Sequence, residues 1–481
     1  MREHVLIYVN GQCRKVSGQQ AFLSLSDYLR EVQGLVGTKI VCSEGDCGAC
    51  SVLIGRPRGG RMVYQAVDAC IQFVFQLDNT HVLSVEGLRR NGSLSPVQQA
   101  MVDCHGSQCG FCTPGFVVTM TGLLECKDRL AESDLRYGLT GNLCRCTGYT
   151  PIIEAGIRAG ETDTHQRIDQ LYPPGEMLAD FAACAGDPVE VQALGARGNR
   201  MFYSPIDLDS AVEFLDQHPA ATIVAGATDL GVRINKGLIK PDVILDLNRV
   251  EALDAVDVAG GQLIAGARAT WTAIEEVCRQ AAPQFAGILE LFGSPQIRNV
   301  GTIGGNIANA SPIADSLPFL YVVGAELELA GPAGTRKLNI NDFYQGYKQM
   351  DLQAGELLAR VRIPLPDDDQ TLRLYKVSRR RDLDISSFTA AILMRLDGDT
   401  IDSTKIAFGG VGPTILRARQ TEDFLANKPF TEQTMQDAGD IAVREITPIS
   451  DVRGTADFRF QLTRNILRKF FHEQATTATT H

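Results

Sequence analysis

Short apolar runs alternate with polar residues through the opening of the chain, and the period changes further along. Residues 4–10 (HVLIYVN), 11–16 (GQCRKV) and 51–54 (SVLI) read as strands, with L-S-D-Y-L-R at 25–30 as a helix before a loop rich in cysteine. After Leu94-Ser95-Pro96 the spacing becomes helical: V-Q-Q-A-M-V-D-C at 97–104, G-F-V-V-T-M-T-G-L-L at 115–124 and P-I-I-E-A-G-I-R at 151–158. A small mixed α/β unit and a helical unit therefore share the first third of the chain. Residues 160–200 mix polar, Gly and Pro residues without sustained periodicity, the composition of a linker. From Met201 strand-like runs return at 221–226 (ATIVAG), 242–247 (DVILDL) and 262–267 (QLIAGA), alternating with helical stretches. A further strand and helix region follows Pro364 to about Phe471, and A-T-T-A-T-T-H reads as a frayed tail.

At 481 residues the chain is too long for one core and predicts three or four units. Its 44% apolar and 21% charged residues are those of an ordinary water-facing protein. The formal charge of −11 argues against nucleic acid or an anionic membrane as main partner, because phosphate binding needs a basic surface. No apolar run approaches the length of a membrane span, and Glu3 and His4 precede a strand rather than a secretory core. The expected location is cytoplasmic, where thiols stay reduced and clustered cysteines point to metal or redox chemistry. Of the 13 cysteines, 11 fall within the first 150 residues.

The segment Cys42-S-E-G-D-Cys47-G-A-Cys50 has the C-x4-C-x2-C spacing of a plant-type ferredoxin loop, with Cys70 as the fourth ligand. Gly45 and Gly48 suit a loop whose backbone must approach a cluster and turn N–H groups toward sulfur. Zinc sites instead favour matched cysteine pairs, so this loop points to a 2Fe-2S cluster. Cys109-x2-Cys112 with Cys144-x-Cys146 is less specific, since four thiolates satisfy zinc or iron alike. Cys13, Cys104, Cys126, Cys184 and Cys278 lie outside both patterns and read as small core or surface thiols.

Together Q-C-G-F-C-T-P-G (108–115) and L-C-R-C-T-G-Y (143–149) resemble the helical 2Fe-2S domain of the molybdenum hydroxylases, the xanthine dehydrogenase family. The resemblance implies that the helical cluster faces a molybdenum cofactor, that Gln108 contacts its pterin, and that the ferredoxin-like cluster faces a flavin.

The G-x-G-x-x-G dinucleotide fingerprint does not occur, so a dinucleotide would be held another way. A-G-A-T-D-L (225–230) and R-N-V-G-T-I-G-G-N-I-A-N-A-S-P-I-A-D (298–315) offer glycine turns whose N–H groups can approach a pyrophosphate. Both resemble the flavin turns of the same family. By that resemblance Ile223, Val224, Ala225, Gly226, Ala227, Thr228, Asp229, Phe292, Gly301, Thr302, Gly305, Asn306 and Asp315 line FAD. Arg379, Arg380 and Arg381 read as a solvated basic run, or as an attractor for NAD.

The implied fold is an α+β multidomain chain. It comprises a β-grasp ferredoxin-like 2Fe-2S domain (1–85), a helical 2Fe-2S domain (86–159), a linker (160–200), an FAD-binding domain of the molybdenum hydroxylase type (201–369) and a C-terminal α+β flavoprotein domain (370–475). The implied cofactors are two 2Fe-2S clusters and FAD. The implied partners are NAD and a large subunit carrying the molybdenum cofactor, in a heterotetramer of two small and two large subunits. Electrons would pass from molybdenum through the helical cluster, the ferredoxin-like cluster and FAD to NAD as a purine is oxidised. The same subunit type serves carbon monoxide, nicotine and aldehyde oxidisers, and a zinc scaffold without redox turnover is the reading from another class.

Overall fold

The computed structural model describes residues 1–89, 92–162, 167–194 and 198–478. The chain divides into two compact units, Met1–Ala252 with Ser294–Thr302, and Leu253–Gly293 with Ile303–His481. The stretch expected as one FAD-binding domain, 201–369, is thus shared between them.

The first unit begins with a five-stranded mixed sheet in the order Gln12–Val16, Val5–Val9, Thr80–Leu83, Ser51–Arg58, Arg61–Asp68. Val5–Val9 and Thr80–Leu83 run parallel and the other pairs antiparallel, the β-grasp arrangement. The two-residue period of a strand explains its two packed faces. Val52, Ile54, Val67 and Val82 enter one core, while Leu53, Leu83 and Ala66 enter a second core with the helical region. That region is built of Pro96–Asp103, Thr113–Cys126, Glu132–Gly138 and Thr150–Gly160. Ser95 caps the first of these, its hydroxyl accepting from the Gln98 N–H, and Pro96 and Pro114 stand in the first turns of their helices, where no hydrogen bond is lost.

The expected linker is a packed part of this unit. It carries helices Ile168–Leu171 and Gly175–Cys184 and strand Val189–Ala193, while residues 163–166 and 195–197 lie outside the described residues. Met177 and Phe181, four residues apart on one helix face, close over Leu6 and Tyr8 of the first sheet. Two large apolar residues in a short helix are too few to register as periodicity. Val189–Ala193 then joins a four-stranded sheet ordered Val189–Ala193, Arg200–Ser204, Val243–Asp246, Thr222–Val224. Phe202 of that sheet packs on Phe22 and Phe75, so the β-grasp sheet and the start of the flavin region share one core.

The second unit holds an antiparallel sheet ordered Val256–Ala259, Gln262–Gly266, Leu357–Pro364, Glu326–Gly331, Gly334–Asn339. A second antiparallel sheet, Gln370–Val377, Phe388–Asp397, Thr400–Gly409 and Leu416–Arg417, packs with Arg419–Leu425, Glu432–Glu445 and Ala456–Ala478. The last helix runs into the segment expected as a frayed tail, of which only 479–481 lie outside the described residues. Among the described residues no helix is long and apolar enough to cross a membrane.

Candidate iron-sulfur and flavin sites

The Cys42–Cys50 loop bends through left-handed backbone at Ser43, Gly45 and Gly48 (φ 56°, 75° and 66°). A Cβ on Gly45 would meet the Ile71 Cδ1 at 2.6 Å, and one on Gly48 would meet the Gly141 carbonyl at 2.2 Å, so both positions exclude side chains. The loop brings its thiols together: Cys42 lies within hydrogen-bonding reach of Cys47 and Cys70, and Cys50 of Cys70. The Glu44 N–H points at the Cys42 Sγ from 3.4 Å. Hydrogen bonds from Cys47, Cys70 and these backbone N–H groups hold the Cys42 thiol far below its ordinary range despite burial.

The second quartet also assembles, as two pairs. The Cys146 and Cys109 sulfurs stand 3.6 Å apart, and Cys112 bonds with Cys144. Cys112 caps the 14-residue helix Thr113–Cys126, where unpaired N–H groups favour a thiolate. Burial and the bond to Cys144 nevertheless push its thiol up to about 12. Cys144 is pulled down by the Thr147 hydroxyl and the Thr147 and Cys146 N–H groups, against its burial. Among the described residues no group of three or more His, Cys, Asp or Glu converges as a site for a single metal ion. The Cys109–Cys146 and Cys112–Cys144 pairs suit a binuclear cluster, which takes two cysteinates per iron. The quartets differ in exposure: Cys109 and Cys146 are exposed, whereas Cys50 and Cys70 are buried.

Within the first unit the glycine turn at 225–229 meets Val300 and Gly301 of the second glycine-rich stretch. Ala225–Asp229 forms the turn between Thr222–Val224 and the helix Leu230–Asn235, with Ala227 at φ 60°. A Cβ on Gly226 would lie 2.0 Å from the Val300 carbonyl and 3.0 Å from the Gly301 Cα. Three amides that sequence reasoning missed fasten this turn to the first cysteine loop. Gln72 donates to the Gly226 carbonyl at 3.0 Å, Gln76 donates to the Ala225 carbonyl at 2.7 Å, and Asn235 donates to the Cys70 carbonyl at 2.8 Å. Amides have no motif, and their partners lie about 150 residues away, so nothing in the sequence marks them.

In the second unit, the Ile303 and Gly304 N–H groups at the start of Ile303–Asn309 are taken by the Ala269 and Ala267 carbonyls at 3.1 and 2.8 Å. Those two N–H groups are therefore committed to the fold. Asn306 accepts from the Ser316 hydroxyl at 2.6 Å. The Asp315 carboxylate is buried between Lys376 Nζ and the Ser386 hydroxyl, both at 2.6 Å. Phe292 packs on Trp271 at a centroid distance of 5.0 Å. Arg380 is paired with Asp384 within the run expected to be solvated.

Three family models match the chain: a "[2Fe-2S] binding domain" over 84–156, an "FAD binding domain in molybdopterin dehydrogenase" over 196–366, and a "CO dehydrogenase flavoprotein C-terminal domain" over 373–474. Xanthine dehydrogenase 1 of Arabidopsis thaliana is 31% identical across 97% of this chain and 39% of its own length. Among solved structures, quinoline 2-oxidoreductase from Pseudomonas putida 86 is 30% identical with a TM-score of 0.53, over 57% of this chain and 96% of the other. A carbon monoxide dehydrogenase chain from Hydrogenophaga pseudoflava is 28% identical with a TM-score of 0.54, over 56% and 94%. The protein belongs to the molybdenum hydroxylase family, as a chain of its iron-sulfur and flavin type. Its cofactors are 2Fe-2S clusters and FAD, and it spans about two fifths of the length of the curated relatives it matches.

Proposed function

We propose that this chain is the electron-transfer subunit of a xanthine dehydrogenase, delivering electrons from a molybdenum-bearing partner to NAD. In this reading Cys42, Cys47, Cys50 and Cys70 ligate one 2Fe-2S cluster and Cys109, Cys112, Cys144 and Cys146 the other. When bound, the clusters carry single electrons and the flavin converts them to the two-electron reduction that NAD needs.

The observation that carries the reading is the opposite setting of the two quartets. Cys109 and Cys146 lie at the surface with Gln108, and Phe111 (49% exposed), Leu143 (42%) and Tyr149 (37%) surround them, an apolar collar suited to a protein partner. Cys50 and Cys70 are buried, and Cys70 is bonded through Asn235 to the helix that follows the flavin turn. In this reading the exposed quartet would take electrons from a donor, and the buried one would pass them toward the flavin. By the family resemblance Ile223, Val224, Ala225, Gly226, Ala227, Thr228, Asp229, Phe292, Gly301, Thr302, Gly305, Asn306 and Asp315 would hold FAD. Likeness across 97% of the chain to a xanthine dehydrogenase supports the purine substrate. A second reading, the same subunit of a carbon monoxide or quinoline oxidising enzyme, draws on structural neighbours of similar identity.

The test is to isolate the chain with its molybdenum partner and record the visible spectrum before and after adding xanthine without acceptor. Bleaching of the iron-sulfur and flavin bands, reversed by NAD, is the expected result. Bleaching by dithionite but not by xanthine would overturn the purine assignment.

A further inference from the structure

The two cysteine loops are locked together by buried polar contacts that ligation does not require. The Leu143 N–H donates to the Cys47 carbonyl at 3.0 Å, so the neighbour of one quartet's Cys144 bonds a member of the other quartet. Asn142, 1% exposed, donates its Nδ2 to the Gly48 carbonyl at 3.1 Å and toward the Ser51 hydroxyl at 3.4 Å. The Ser51 hydroxyl donates to the same Gly48 carbonyl at 2.8 Å. Gln296, fully buried and distant in sequence, donates to the Asn142 Oδ1 at 2.8 Å and lies 3.4 Å from the Ser51 and Thr119 hydroxyls.

Glycines let these segments close on one another. A Cβ on Gly115 would stand 2.0 Å from the Gly48 carbonyl, and one on Gly141 would stand 2.1 Å from the Gln296 Oε1. Among the described residues, that buried Oε1 has no hydrogen-bond partner. A buried acceptor left unpaired is destabilising, and an apolar side chain of the same length would avoid that. Gln296 is therefore a poor choice for stability and a good one for position, because its amide fixes Asn142, and Asn142 fixes the Gly48 end of the first loop.

We propose that Gln296 and Asn142 are positioning residues that set the spacing between the two cysteine loops, and through it the coupling between the clusters they hold. The inference rests on the reading that both quartets carry 2Fe-2S clusters. Coupling between two redox centres falls steeply with separation, so a lock that holds the loops in van der Waals contact fixes it. The route is short: the Cys47 backbone, one hydrogen bond, then Leu143 and Cys144.

The experiment uses the intact protein with its clusters, native and as Gln296→Met, which keeps side-chain length and removes both polar ends. Fully reduced clusters each carry one unpaired spin, and their interaction splits the low-temperature EPR signals. Gln296→Met is expected to keep the native iron and sulfide content and to show a narrowed splitting. Native splitting in a fully loaded variant would overturn the inference. If Gln296→Met fails to assemble, Ser51→Ala, which removes only the hydroxyl both amides approach, gives the same readout with the same two outcomes. Failure of the cluster reading is seen separately, as native protein lacking the iron for two clusters.

Discussion

Replacing Gly226 by Ala tests the proposed flavin turn most sharply. The added methyl would sit 2.0 Å from the Val300 carbonyl and 2.8 Å from its carbon, far inside van der Waals contact, and both obstacles are backbone. The Gly226 carbonyl is also held by Gln72 at 3.0 Å, so the turn cannot retreat without breaking that bond. Overpacking of this kind costs about 1–3 kcal/mol, and loss of a buried hydrogen bond adds about 1 kcal/mol. If the turn opens to relieve the clash, the strain appears as lost cofactor affinity, where every ~1.4 kcal/mol is tenfold. The expected weakening of FAD binding is therefore about ten- to a thousandfold. Titrating deflavinated protein with FAD, followed by quenching of flavin fluorescence, measures it, and iron content serves as the control for the rest of the unit. Stoichiometric FAD at native affinity in Gly226→Ala would refute the placement of this turn at the cofactor.

Three further predictions follow from other parts of the first unit. Asp78, whose side chain is 1% exposed, accepts from Arg2 at 2.7 and 2.9 Å and from the Leu6 N–H at 2.8 Å, and pairs with Arg249 at 3.2 Å. Asp78→Ala leaves two buried guanidinium groups uncompensated and should cost ~3–5 kcal/mol, read as faster hydrogen exchange in residues 1–10; a change below ~1 kcal/mol would contradict the assignment. His81 is buried, accepts the Gly11 N–H at Nε2 (3.0 Å) and faces the Tyr64 hydroxyl with Nδ1 (2.8 Å); burial lowers its pKa from 6.5 to about 4. Because the unfolded chain takes up the proton first, this contribution is complete above pH 6.5 and declines as pH falls toward 4, by up to roughly 3 kcal/mol. His81→Gln should flatten that part of the melting-temperature profile, and an unchanged slope would sink the claim. Cys109→Ser should remove the iron of one cluster and abolish substrate-driven turnover while NADH-driven dye reduction at the flavin survives; loss of both activities with FAD retained would reverse the proposed electron order.

What the sequence disclosed depended on how far apart cooperating residues lie. Cys42, Cys47 and Cys50 stand within nine positions, and their spacing encodes the loop before any fold is known. Cys109 and Cys146 are 37 residues apart, yet each comes with a close partner in C-x2-C or C-x-C, so that quartet was also legible. The strands Val5–Val9 and Gln12–Val16 and the helices Pro96–Asp103 and Thr113–Cys126 follow the apolar periods closely. The amides that join the sites left no such trace. Gln296 meets Asn142 across 154 residues and Gln76 meets Ala225 across 149, and neither sits in a recurring pattern. Helix Gly175–Cys184 was hidden because its buried apolar residues are only Met177 and Phe181, and the division of the chain into two units was hidden because Ser294–Thr302 folds with the first unit from within the sequence of the second.

The central claim is that two iron-sulfur clusters and a flavin are carried by one chain. Metal, sulfide and flavin analysis of the purified protein, joined to EPR of the dithionite-reduced state, tests it most directly. The account predicts iron and acid-labile sulfide for two 2Fe-2S clusters per FAD, with two distinct cluster signals of which one disappears in Cys42→Ser and the other in Cys109→Ser. Zinc in place of iron at either quartet, or a single cluster signal untouched by one of these substitutions, would contradict it.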